Sequence, residues 1–131
     1  MISYVTMGAD DLVAAERFYC AFLPALGFGL TTGPEGLSFA LPVAEGEWAV
    51  MPDFYVKLTF DGRPASAGNG AMVAFEASCQ REVRTLYAAA VAAGGTDEGA
   101  PGFRADYGAD FYVSYLRDPQ GNKIALFSSN P

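Results

Sequence analysis

With no histidine anywhere in the chain, chemistry falls to tyrosines, carboxylates, arginines and two thiols. Tyr4 and Thr6 share one face of a predicted first strand, and Glu76 closes a predicted strand in the second half. A phenol beside a carboxylate can work as a general acid and base pair. The plainer alternative leaves Glu76 in water at a strand end. Arg104 and Arg117 each carry the planar donor fork that clamps a carboxylate, although a surface ion pair satisfies either equally well. Met72 offers a thioether to a soft ion such as Cu(I), but a lone thioether more often packs a core. Cys20 and Cys79 lie in predicted helices, and their spacing matches neither a disulfide framework nor a metal site. Cys79 is expected in the first turn of its helix, where a thiol's pKa falls; packing is the commoner use of both.

These side chains are positioned by short, well-punctuated elements. The last hairpin, FYVSYLRDPQGNKIALF over 111–127, is the sharpest. Asp118 can cap a turn with its carboxylate, Pro119 pre-sets the next backbone angle, and Gly121 accepts a positive φ. The hairpin therefore reads as a type I turn with a glycine bulge. At the other end, residues 2–7 alternate as a strand that Gly8 ends. Asp10 or Asp11 offers an N-cap to an amphipathic helix over 11–26, shortened or kinked by Pro24 and stopped at Gly27. Three short strands follow, at 28–32, 37–41 and 54–59, with a loop over 42–53 that carries the only tryptophan, Trp48.

The pattern then begins again. Residues 61–69, rich in Gly, Pro, Ala and Ser, read as a linker. A strand over 71–76 leads through a Ser78 cap into a helix lined by Val83, Leu86, Tyr87, Ala90 and Val91. That helix ends at Gly94-Gly95. An irregular strand within 96–104 and strands at 111–117 and 123–127 complete the chain. Val5 matches Val73, Met7 matches Phe75, Tyr19 matches Tyr87 and Gly27 matches Gly95, all at an offset of about 68 positions. The chain is thus one domain of two βαβββ units, 1–60 and 70–131. One such unit leaves a curved sheet with a bare face, so two must pair, within the chain or across a dimer.

The length of 131 residues suits one domain with a real core. A net charge of −7 argues against nucleic acid, which requires a basic footprint. It would draw a cationic small molecule over long range, although acidity also simply keeps a small domain soluble. No apolar run approaches a membrane span, and no signal-peptide pattern opens the chain, so a cytoplasmic location is the default expectation.

Three segments resemble the vicinal oxygen chelate superfamily, which holds glyoxalase I, extradiol dioxygenases and the fosfomycin- and bleomycin-resistance proteins. They are ISYVTMGADDLVAAERFYCAFLPALGF, GAMVAFEA and YLRDPQGNKIALF, with the PDF-aromatic run Pro52-Asp53-Phe54-Tyr55 between them. The resemblance implies an α+β fold in which two βαβββ repeats form a cup-shaped mixed eight-stranded sheet, with a helix behind each half. It also implies a divalent ion inside the cup, held by His on the first strand, His opening the second unit and Glu on the last strand. Those positions fall here on Tyr4, Met72 and Ala125, and the segment 105–108, where relatives often carry His, reads Ala-Asp-Tyr-Gly. Tyr, Met and Ala cannot hold a hard divalent ion. The expectation is a metal-free, cofactor-free cup whose ligand touches Tyr4, Thr6, Tyr55, Met72, Glu76, Tyr107, Tyr115 and Ala125.

Three functions compete on this reading. The first is a bleomycin-resistance-like binder of a small cationic or aromatic molecule. The second is a glyoxalase- or dioxygenase-like enzyme with a non-standard site. The third is a catalytically degenerate homodimer that acts by protein association.

Overall fold

The computed structural model describes residues 1–131. Strand β1 (Tyr4–Gly8) turns Val5 and Met7 toward the interior and leaves Tyr4 and Thr6 outward, as the alternation requires. Helix α1 (Leu12–Tyr19) starts where Asp11 accepts a hydrogen bond from the Ala14 amide at 3.0 Å. It is shorter than the span 11–26 that periodicity implies. Cys20 caps its C-terminus, and Pro24 instead opens a separate 3-10 turn, Pro24–Leu26. Proline has no amide to give to the preceding turn, and its ring collides with that turn's carbonyl. Gly27, at φ 97°, closes the segment in the left-handed conformation.

Strands β2 (Gly29–Gly33), β3 (Gly36–Ala40) and β4 (Asp53–Lys57) complete the first unit. The second unit comprises β5 (Val73–Glu76), α2 (Gln80–Ala92), β6 (Thr96–Phe103), β7 (Tyr112–Arg117) and β8 (Lys123–Ser128). Cys79, not Ser78, occupies the N-cap of α2, and its side chain makes no capping bond. The Ser78 amide and hydroxyl both donate to the Glu82 carboxylate, at 2.7 Å. These bonds hold the Glu82 carboxyl below the usual carboxylate range.

The fold is α+β, built from two βαβββ units. Its eight strands form two four-stranded mixed sheets, β1-β4-β3-β2 and β5-β8-β7-β6. In each, the first strand of the unit lies parallel to the last and the remaining pairs are antiparallel. The sheets do not close on each other: β1 and β5 are both edges, and a cleft of about 230 Å³ runs between them. No helix is long and apolar enough to cross a membrane.

The inner faces of both sheets and both helices meet in one cluster of 19 buried residues. Phe54 of β4 packs edge-on against Phe75 of β5, with ring centroids 5.1 Å apart, and Phe22 meets Phe75 at 5.8 Å. The last turn then fastens the units with polar contacts that reach the edge of this core. The Tyr19 hydroxyl donates to Asp118 at 2.6 Å, and the Asn122 side-chain amide donates to the Gly8 carbonyl at 2.9 Å. Gln120 accepts from the Asp10 amide and donates to Ala65 in the 61–69 segment. The turn itself has the geometry its residues imply, with Gly121 at φ 98° and its amide bonded to the Asp118 carbonyl at 2.9 Å.

Candidate functional site

Each unit presents an outward sheet face, and the two faces differ in character. In the first unit, alternation places Tyr4, Thr6, Tyr55 and Lys57 together. The rings of Tyr4 and Tyr55 lie 5.6 Å apart, and the Tyr55 hydroxyl donates to Asp53 at 3.2 Å. Partial desolvation and the neighbouring Asp53 carboxylate raise the Tyr55 phenol above its ordinary pKa. Lys57 is paired with Glu35 at 3.1 Å. Tyr55 and Lys57 line a shallow cavity of about 380 Å³ under the β2–β3 hairpin.

The second unit is more enclosed and more strongly charged. On β7 the outward positions are Val113, Tyr115 and Arg117; on β8 they are Lys123, Ala125 and Phe127. The register sets Tyr115 opposite Ala125 and Arg117 opposite Lys123. Beside them lies a cavity of about 630 Å³ whose wall includes Met72, Glu98, Arg104, Tyr107, Tyr115, Arg117 and Lys123. The Tyr115 ring sits against the Arg104 guanidinium at 5.6 Å and the Lys123 ammonium at 5.0 Å. Arg117 is held between Glu98 and the Gly121 carbonyl, each at 3.0 Å. Arg104 donates to the carbonyls of Ala100 and Phe103. The rim at 104–108 is anchored by tilted aromatic contacts, Tyr107 with Phe111 at 5.3 Å and Phe111 with Phe127 at 4.7 Å between ring centroids.

The expected site residues are therefore divided among several places. Met72, Tyr107 and Tyr115 line one cavity, while Tyr4, Thr6 and Tyr55 lie on the other sheet. Ala125, opposite Tyr115 in the sheet, is fully buried and does not line the cavity. Glu76 is exposed and lines a different cleft, with Ser78 and Glu82, and no hydrogen bond joins it to Tyr4. The acid and base pair considered from the sequence is not assembled.

Cys79 also lies outside the main cavity; its thiol is held below the ordinary value chiefly by the Glu82 backbone amide. Lys123 is the site residue that sequence reasoning passed over. Its signal was available, because it precedes Ala125 by two positions and so shares its face.

Charge is unevenly distributed: the chain carries a net charge of −7, yet the wall of the larger cavity carries three cations against one carboxylate. Net charge sums over the whole surface, whereas a ligand in a cleft responds to its immediate wall.

No family model matches the sequence, and no curated protein does. Among solved structures, a glyoxalase/bleomycin resistance protein from Albidiferax ferrireducens T118 is 35% identical. It matches over 97% of each chain with a TM-score of 0.82. The chain belongs to the glyoxalase/bleomycin resistance protein family. Two more distant structures share the fold. A glyoxalase-related enzyme from Fulvimarina pelagi is 21% identical, with a TM-score of 0.70 over 97% of this chain and 86% of that one. A glyoxalase/bleomycin resistance protein/dioxygenase family enzyme from Burkholderia phytofirmans PsJN is 22% identical, with a TM-score of 0.66 over 95% of each chain. The vicinal oxygen chelate fold is thereby established for this chain.

The divalent ion associated with that fold does not fit the residues present. Of the three ligand positions, Tyr4 is a largely exposed phenol in tilted contact with the Tyr55 ring, Met72 is a half-exposed thioether, and Ala125 is a buried methyl. No group of three or more His, Cys, Asp or Glu side chains is arranged to hold a metal ion. Divalent ions in such sites select carboxylate oxygens when hard and imidazole with carboxylate when borderline, and these positions supply neither donor.

Proposed function

We propose that this family member binds a small, partly aromatic molecule in the cavity of its second unit, without a divalent ion at the family's ligand positions. The observation that carries the reading is that cavity of about 630 Å³, in which Met72, Tyr107 and Tyr115 give apolar and aromatic surface and charged side chains complete the wall. Its size lies within the range that holds a metabolite-sized ligand, and its charged groups beside flat aromatic surface would orient one. A homodimer is part of the proposal. The 41–52 loop and the N-terminus leave Trp48, Ile2 and Val43 exposed, apolar surface that association would cover.

Native mass spectrometry with elemental analysis, on protein purified without an affinity tag, tests this. The expected result is a dimer with less than stoichiometric divalent metal and a species bearing an added small mass, which Tyr115→Ala removes. One metal ion per chain would overturn the metal-free reading and move a glyoxalase- or dioxygenase-like reaction to the front. A purely monomeric protein would overturn the dimer.

A further inference from the structure

We infer that the molecule held in the second unit's cavity is an organic anion, a planar body carrying one carboxylate or phosphate group that faces Lys123 and Arg104. The inference rests on the binding role proposed for that cavity and adds the sign and chemical class of its occupant. Its basis is the way the cations are compensated. Arg117 has a carboxylate partner in Glu98, at 3.0 Å. Arg104 and Lys123 have none: Arg104 donates only to the carbonyls of Ala100 and Phe103, and Lys123 lies over the Tyr115 ring. Two of the eight basic side chains in an acidic chain thus converge on one concave wall, both against the same aromatic ring and both without a counter-charge.

A ring's π face compensates a cation only in part, and leaves the ammonium of Lys123 with donors to spare. An oxyanion in the cavity would supply the missing charge and accept those donors. Tyr107 and Met72, on the same wall, give the flat and polarisable surface on which the rest of a planar molecule would lie.

The distant acidity does not cancel this preference. Exposed charges are screened over about 8 Å at physiological ionic strength, whereas partly buried groups facing one another across a cleft are screened much less. Lys123, Arg104 and Arg117 are all half-buried. The first-unit face offers no equivalent, because its one central cation, Lys57, is already paired with Glu35.

The test compares benzoate and phenyl phosphate with two near-isosteres, neutral benzamide and cationic benzamidinium, by backbone amide NMR titration of the intact protein. Benzoate or phenyl phosphate is expected to move the signals of residues 98–107, 115–117 and 123, with benzamide about tenfold weaker. Lys123→Gln is expected to weaken the anion about tenfold while leaving signals of the buried core in place, and Arg104→Gln to do the same independently. Added salt should weaken the anion and leave benzamide unchanged. Benzamide or benzamidinium binding these residues as tightly as benzoate would overturn the anion assignment and leave the cavity as a binding site. Benzoate binding that is indifferent to both substitutions would also overturn it. If none of the four probes moves these signals, the binding role falls together with the inference.

Discussion

At the scale of single residues, the most consequential contact is that of Tyr19 with Asp118. Asp118 is only 3% exposed, and no cation is paired with it. Its charge is met instead by the Tyr19 hydroxyl, the Asn122 side-chain amide and the backbone amides of Gln120 and Asn122. Removing one donor leaves a buried carboxylate short of a partner, so Tyr19→Phe should cost about 1–3 kcal/mol in urea unfolding. The same phenol makes stability depend on alkaline pH. Burial, then the Asp118 charge and hydrogen bond, raise the Tyr19 pKa well above its ordinary 10.0. A group raised on folding contributes stability that is fully present below its unfolded value and is lost as pH rises toward its folded one. Stability should therefore fall above about pH 10 in the native chain, and that decline should be shallower in Tyr19→Phe. Equal alkaline slopes in the two proteins would contradict it. The turn-capping role of Asp118 is legible from DPQGN because it is local. Its bond to Tyr19 is not, because the partners lie 99 residues apart.

At the scale of elements, the paired glycines after α2 divide two tasks that the sequence shows as one stop signal. Gly94 takes the left-handed conformation, at φ 110°. Gly95 is required for space: a Cβ there would come within 2.6 Å of the Phe18 ring and 2.9 Å of the Ala90 carbonyl oxygen. Close approach of the α2 terminus to α1 depends on it, and the Arg17 guanidinium reaches the Ala92 carbonyl across the same junction at 3.2 Å. Gly95→Ala should destabilise the protein by about 1–3 kcal/mol through overpacking. Gly33→Ala, where an added Cβ meets nothing within 4 Å, is the matched control and should fall within about 0.5 kcal/mol of the native protein. Comparable losses at both positions would sink the steric argument. Element types and order follow from periodicity and the early end of α1 from Pro24, while the register of β6 (Thr96–Phe103) follows from neither. Strand β6 is held by pairing with β7 through two register shifts that no local pattern announces.

At the scale of the whole molecule, the buried cluster draws on both units, and Phe54 and Phe75 pack across the boundary between them. Neither unit keeps a complete interior without the other. Thermal unfolding is therefore expected in a single transition, with near-UV and far-UV circular dichroism coincident. Phe75→Ala should lower the stability of the whole by about 3–5 kcal/mol rather than releasing one half. Two separated transitions would show the units to be independent. Charge also changes meaning at this scale. The chain is acidic as a sum, yet it gathers Arg104, Arg117 and Lys123 in one cavity.

The order of strands and helices, the internal repeat and the turn at 118–122 are carried by residue type and spacing along the chain, which alternation, capping and turn chemistry convert directly into local structure. The poverty of metal donors at Tyr4, Met72 and Ala125 follows from the family resemblance, which marks those positions. Tertiary structure alone decided that the eight strands form two sheets with a cleft between them. It also buried Ala125, parted Glu76 from the tyrosines, and made Lys123 and Arg104 neighbours of one ring. Those outcomes depend on which strands pair, in what register, and on how the 104–108 rim folds over the sheet. Such pairings join residues distant in the chain, and period-two alternation specifies a face without specifying what lies across from it.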